Sequence, residues 1–198
     1  GWLHDDKSPT EHGFVSFVPE GEGVRAFWLD GRAMIEKDGK MMLRTALLEG
    51  DHVKAERLLD DDVCTCCPIS AATLPSGPIV VYRDRTPKEI RDISFVRRRD
   101  AKWSAPSTIH ADHWFMPGCP VNGSSIATSG ELIAVSRYTV IENKGRVMLS
   151  LAKSGATNWR EIVIDQDDPI GRCATVCTKT AVFVVWIGRS DGKAALQL

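Results

Sequence analysis

Four segments of this sequence read alike at nearly even intervals, and that repeat limits the fold more than any other feature. They are Val24-Arg25-Ala26-Phe27-Trp28-Leu29-Asp30, Ile79-Val80-Val81-Tyr82-Arg83-Asp84, Leu132-Ile133-Ala134-Val135-Ser136-Arg137-Tyr138 and Val182-Phe183-Val184-Val185-Trp186-Ile187. Aligning Trp28, Tyr82, Ser136 and Trp186 gives spacings of 54, 54 and 50 residues. Each segment is apolar at both odd and even positions. A strand reads this way when it is covered on both faces.

The local order around each segment is also constant. A shorter strand (A) precedes it: Phe14 to Val18, Ile69 to Leu74, Ser125 to Thr128 and Ala174 to Val176. A tight turn leads into the repeated strand (B). A third strand (C) follows at Met41 to Leu48, Ile90 to Arg98, Val147 to Ala152 and Ala194 to Leu198. A fourth (D) follows in three units, at Val53 to Leu59, Trp103 to Ile109 and Trp159 to Ile164. No stretch of ten residues shows a capped helical stripe. A β-sandwich would show one-sided alternation without a fixed period. Four antiparallel strands recurring every ~50 residues predict an all-β chain, a β-propeller built of four-stranded antiparallel blades. One blade has two apolar faces and must stack on neighbours to be stable.

The spacing predicts a single incomplete propeller domain over 1–198. Its blades fall at about 13–60, 68–110, 124–165 and, in part, 172–198, three and a half blades in all. The sequence opens on Gly1-Trp2 without Met or a signal peptide and stops within an apolar stretch at Leu198. The expectation is a piece of a longer ring.

Composition excludes several classes of function. With 25 basic against 26 acidic residues the net charge is −1, so no global field draws the chain to nucleic acid. Its longest apolar run, Ala181 to Ile187, is far short of the ~18 residues of a membrane helix. Hydrophobic residues at 43% and charged residues at 26% are those of a folded chain with a core.

Blade topology sorts the unusual residues. Loops leading into A strands share a rim with B–C loops, and A–B and C–D turns lie on the opposite rim. The first set holds Glu11-His12, Asp30-Gly31-Arg32, Cys64-Thr65-Cys66-Cys67, Arg83-Asp84-Arg85 through Arg91-Asp92, Cys119 through Asn122, and Arg172-Cys173. Chemistry is therefore expected on one rim, where loops on a rigid scaffold carry binding and catalysis. Arg32, Arg83, Arg85, Arg91 and Arg172, with Asp92 and Asn122, are the candidates for gripping an anion, since guanidinium groups bind carboxylates bidentately. Local ion pairs with Asp84 and Asp92 are the plainer account of these arginines. Glu11, Asp30 and Asp84 are the candidates for proton transfer, because glycosidic hydrolysis needs a proton donor and usually a second carboxylate. Trp28, Trp103, Trp159 and Trp186 fall at strand positions and read as core. Trp114 lies in a loop, where it can stack on a sugar or fill the channel mouth.

Cys64, Cys66, Cys67 and Cys119 leave alternatives open. Cys66 and Cys67 are adjacent, with Cα atoms ~3.8 Å apart, shorter than the usual disulfide span of about 4.4–6.8 Å. Cys119 occupies the corresponding position in the next blade, so a disulfide staple between blades fits. A soft-metal site for Cu or Zn, with His110 or His113 nearby, also fits, as does a catalytic thiol.

Two C–D turns, Arg99-Asp100-Ala101-Lys102-Trp103 and Ser154-Gly155-Ala156-Thr157-Asn158-Trp159, resemble worn Asp-box (BNR) turns of pattern S-x-D-x-G-x-T-W. Together with Glu11 to Ser16, Trp28 to Arg32, the C-x-C-C cluster, Tyr82 to Arg85, Glu89 to Ile93 and Gly118 to Gly123, they resemble a bacterial group of sialidase-like proteins over essentially all of the chain. That resemblance implies a six-bladed ring when complete, an exported protein (periplasmic or secreted), and a carbohydrate or other small anionic ligand. Sialidases use an arginine triad, an acid/base Asp and a Tyr nucleophile with a Glu. Arg83, Arg91 and Arg172 are the triad candidates. Neither Tyr82 nor Tyr138 matches the nucleophile's context, and the early Arg-Ile-Pro signature is absent from this sequence. The cysteine cluster lies outside that apparatus. The leading expectation is an exported propeller that binds a carbohydrate on one rim and hydrolyses a glycosidic bond. The alternative is a non-enzymatic metal-binding or protein-interaction propeller. The oligomeric state is left open.

Overall fold

The B strands are buried along their length because they face two neighbours at once. In the computed structural model, which describes residues 2–4 and 6–198, β2 (Gly23–Asp30) and β6 (Gly77–Arg83) are continuously buried over their last six residues. Their alternate side chains go to opposite interfaces. Val80 and Tyr82 pack with Phe27, Leu29 and Leu43 of the first sheet. Ile79 and Val81 pack with Ile126, Ile133 and Val135 of the third. Ala134, Val147 and Leu149 then meet Val184 and Trp186 of the fourth. Gly1 and Asp5 lie outside the description.

The first sheet runs in the order β1 (His12–Glu20), β2, β3 (Met42–Glu49), β4 (His52–Asp60), with a 3₁₀ turn at Arg32–Ile35 in its B–C loop. The second runs β5 (Ser70–Leu74), β6, β7 (Ile93–Arg99), and its D strand is split into β8 (Lys102–Trp103) and β9 (Ser107–Thr108), both paired with β7. The third runs β10 (Ser124–Ser129), β11 (Leu132–Ile141), β12 (Lys144–Lys153), β13 (Arg160–Asp165). The fourth has β14 (Gly171–Cys177), β15 (Val182–Ser190) and β16 (Lys193–Gln197). All pairings are antiparallel, as in blades of a β-propeller. In the third blade β11 and β12 join through Glu142-Asn143, both at positive φ, so this blade carries no B–C loop on the rim. In β15, Phe183 is 45% exposed, because among the described residues no sheet covers that face.

The A strands are stitched to one another by a repeated hydroxyl. Ser16 Oγ accepts the Ala71 N–H at 3.0 Å, Ser70 Oγ accepts that of Ile126 at 3.3 Å, and Ser125 Oγ accepts that of Thr175 at 2.9 Å. Thr73 and Thr128 add hydroxyl bonds to the carbonyls of Pro19 and Thr73. Each bond satisfies a main-chain group that no partner strand reaches, a requirement for any buried backbone donor. We expect Ser125→Ala to strand the Thr175 N–H and to cost about 1–1.5 kcal/mol. Urea unfolding should show a lower midpoint at an unchanged slope.

Candidate functional site

The rim over the second blade is organised by a buried guanidinium. Arg83, at the end of β6, is 1% exposed. Its Nε donates to the Asn122 carbonyl at 2.7 Å, Nη2 to that of Tyr138 at 2.8 Å, and Nη1 to that of Arg91. The Trp114 ring lies 4.7 Å from its guanidinium carbon. Burial lowers its proton affinity, against the nearby thiols of Cys67 and Cys64. The expectation that Arg83 grips a ligand is therefore corrected: its donors are spent on carbonyl oxygens inside the protein. Trp114, buried over it, is closed to a sugar ring.

Several other expected residues also serve the loops. Asp92 accepts the His113 and Trp114 N–H groups at 3.0 and 3.1 Å. Asn122 donates to the Ile170 carbonyl and accepts the Arg172 N–H. A Cβ on Gly123 would lie 2.2 Å from the Pro68 carbonyl, so glycine is what lets these two loops touch. Arg91 is buried and bonded to Glu89 at 2.6 Å. Asp92, Asn122 and Arg91 are thereby held from a ligand by their own partners.

On the first blade, Asp30 is fully buried and accepts from Trp28 Nε1 and from Arg32 Nε and Nη2 at 2.7–2.8 Å. Burial pushes its carboxyl up, but the Arg32 and Trp28 bonds outweigh it and hold the group below its ordinary value. Asp30 is thus an ionised partner of Arg32 and not a proton donor, which corrects that expectation as well. Arg32 also binds Glu56 at 2.8 Å and is likewise committed. Glu11 is exposed, and its carbonyl accepts the Gly31 N–H. Arg172 is exposed on the rim. Tyr82 is fully buried, and Tyr138 packs edge-on against Trp114.

A cluster of carboxyl groups remains that can move protons. Asp84 is half-buried beyond β6. Burial raises its carboxyl, and the charges of Asp62 and Asp92 add to this, against bonds from Ser94 Oγ and the Arg85 N–H. Burial pushes Asp60, at the end of β4, up to about 6; the Asp84 charge adds to this while the Tyr82 hydroxyl bond at 2.5 Å opposes it. Asp62 accepts from Lys40 Nζ at 2.5 Å, and its other oxygen is buried without a partner. A cleft of about 380 Å³ lies over Asp62, between Lys37–Lys40 of the first blade and Arg85–Glu89 of the second. Arg85 stands there, paired with Glu89 and one-third exposed. The run Asp60-Asp61-Asp62 was the missed signal. It immediately precedes the cysteine cluster in the loop already assigned to this rim.

Cys66 and Cys119 form a disulfide with Cα atoms 6.0 Å apart, tying the loop before β5 to the loop before β10. Cys64 and Cys67 are free and buried, their Sγ atoms 3.5 Å apart. The hydrogen bond between them lowers the Cys64 thiol to about 6, with Arg91 and Arg83 adding to this against burial. The same bond, with burial, raises Cys67. Sγ atoms of Cys64, Cys66 and Cys67 lie within 4.8 Å of one another. With Cys66 in the disulfide, two thiolates remain, where structural zinc sites use four ligands. His110 is bonded to Asp112 at 2.7 Å. His4, Asp6 and His12 form a second group with ligand atoms within 4.8 Å.

The sequence matches no protein-family model and no curated protein. Among solved structures, the chain is similar to the catalytic domain of the GH62 alpha-L-arabinofuranosidase of Coprinopsis cinerea. That match has a TM-score of 0.54 at 11% identity over 93% of this chain and 62% of that one. It is also similar to fructan 1-exohydrolase IIa of Cichorium intybus, with a TM-score of 0.50 at 12% identity over 88% of this chain and 39% of that one. The likeness is one of fold: this chain is a β-propeller whose structural neighbours include glycosidases, and it spans under two thirds of their length.

The raised Asp60 carboxyl gives a stability signature. Its folded value, about 6, lies above the unfolded value of about 3.9. Its contribution is therefore full below pH ~4 and is lost as pH rises through ~6. Asp60→Asn keeps an acceptor for the Tyr82 hydroxyl and does not ionise. Measured by urea unfolding, its stability relative to wild type should increase between pH 4 and pH 7.

Proposed function

We propose that this chain is part of an exported glycoside hydrolase whose substrate, an acidic sugar as in sialidases, binds in the cleft over Asp62. The observation that carries this reading is the Asp60–Asp84 pair, two carboxyl groups on one rim whose proton affinities are both raised. A carboxyl that stays protonated toward neutral pH is what a glycosidase needs in its general acid. Asp60 is assigned that role. Asp84 is the second carboxylate, positioned by Ser94 and the Arg85 N–H. Lys40 and Arg85, more exposed than Arg32 and Arg91, flank the cleft and would exchange their present partners, Asp62 and Glu89, for a sugar carboxylate, taking the place expected of Arg83. Glycosidases among the structural neighbours support the reaction class at the level of fold. Export is supported by the Cys66–Cys119 disulfide, a bond typical of oxidising compartments.

The test is a panel of a fluorogenic sialoside, an arabinofuranoside and a fructan, with the full-length protein. One substrate should turn over, with rate falling as pH rises above ~6, where the acid loses its proton. Asp60→Asn and Asp84→Asn should each cost about 10²–10⁴-fold in kcat, and Arg85→Ala should raise KM for the acidic sugar. No turnover across the panel, or full activity in both Asn variants, would remove the proposal.

A further inference from the structure

The cysteine cluster holds a dithiol and a disulfide in contact, and the glycosidase reading uses neither. Cys64 Sγ lies 3.5 Å from Cys67 Sγ and 3.9 Å from Cys66 Sγ, the sulfur bonded to Cys119. The spacing of Cys64 and Cys67 is C-x-x-C, which a disulfide can close. The four differ in access: Cys64 and Cys67 are each 1% exposed, Cys66 is half-buried and Cys119 is exposed. The buried Arg83 beside them donates to backbone carbonyls and, among the described residues, has no carboxylate ion-pair partner. A buried cation without a counter-ion favours a negative charge on an adjacent sulfur.

We propose that Cys64, Cys66, Cys67 and Cys119 form a thiol–disulfide relay that delivers the reducing equivalents of the buried dithiol to small disulfides at the surface. Cys64 attacks Cys66 Sγ, forming a Cys64–Cys66 bond and expelling Cys119, which takes up the proton given up by Cys64. Cys67 then attacks Cys64 Sγ, expelling Cys66, which takes up the proton from Cys67. One disulfide has moved from Cys66–Cys119 to Cys64–Cys67 with no net oxidation. The exposed Cys119 next attacks an external disulfide and expels one small thiol. Cys66 attacks the Cys119 sulfur and expels the second. The chain loses two electrons and two protons, and the external disulfide gains both.

The probe is glutathione disulfide, with adducts and disulfide-linked peptides mapped by mass spectrometry on the folded protein. In Cys67→Ala the relay halts after its first step. Cys64–Cys66 peptides and a stable glutathione adduct on Cys119 are expected. In Cys64→Ala no attack on Cys66 occurs, so Cys66–Cys119 should stay intact and Cys119 unmodified. Wild-type protein, which needs no substitution to fold, should become alkylated at Cys119 over time when incubated with iodoacetamide alone. An unmodified Cys119 in both wild type and folded Cys67→Ala would overturn the relay. So would protein isolated with both Cys64–Cys67 and Cys66–Cys119 already oxidised and unreactive, or with these thiols holding a stoichiometric metal.

Discussion

The rim of this propeller depends on a guanidinium buried with no carboxylate partner among the described residues. Removing Arg83 from water costs several kcal/mol before any bond is made. It is compensated by carbonyl oxygens from Arg91, Asn122 and Tyr138 and by the face of Trp114. Those groups come from the B–C loop of the second blade, the loop leading into β10, and β11. A single side chain thus ties three segments together, alongside the antiparallel bridge between Ile90 and Phe115 that joins the first two. The loop carrying Asp84 and the loop carrying the cysteines both meet β6 beside it: Cys64 N–H donates to the Arg83 carbonyl, and Asp84 N–H donates to that of Asp92. The carboxyl cluster and the sulfur cluster are therefore placed by the same anchor.

A second buried arginine, one blade further on, is handled differently. Arg137 makes a bidentate bond to Asp112 at 2.9 and 3.1 Å and reaches Glu161 at 2.9 Å, with Ser150 as a further acceptor. Its charge is met by carboxylates, whereas that of Arg83 is met by carbonyl oxygens. The two positions differ by 54 residues, the period of the repeat. The same blade position therefore carries a guanidinium bonded either to carboxylates or to carbonyls, depending on what the neighbouring loop supplies.

The fold was legible because its main constraint is local and periodic. A strand that must satisfy two packing faces, as β2 and β6 do, is written in the sequence as apolar residues at both odd and even positions. The serines at 16, 70 and 125 recur at spacings of 54 and 55 residues, since each does the same work between neighbouring A strands. The site was less legible, because side-chain roles there depend on burial and partners that spacing does not encode. Arg83 and Arg85 lie two residues apart, alike in type and both in a loop-facing segment. One ends inside, bound to carbonyls, and the other stands at the cleft beside Glu89. Asp30 and Asp60 both end strands of the first blade. A neighbouring Arg32 keeps the first ionised, whereas the second has a tyrosine hydroxyl and the Asp62 N–H, but no cation, bonded to it against its burial among the described residues.

That contrast explains where reactivity concentrates. Most of the rim's charged groups are paired with opposite charges, such as Arg32 with Asp30 and Glu56, or Arg91 with Glu89. The exceptions are the groups whose partner is neutral or of like charge. Asp60 faces Tyr82 and Asp84, and Cys64 faces Cys67. In both places burial opposes the charged form and hydrogen bonds favour it, joined at Cys64 by the charges of Arg91 and Arg83. Perturbed groups of this kind mark functional positions more often than structural ones. Here they are adjacent because both loops meet the end of β6 at Arg83.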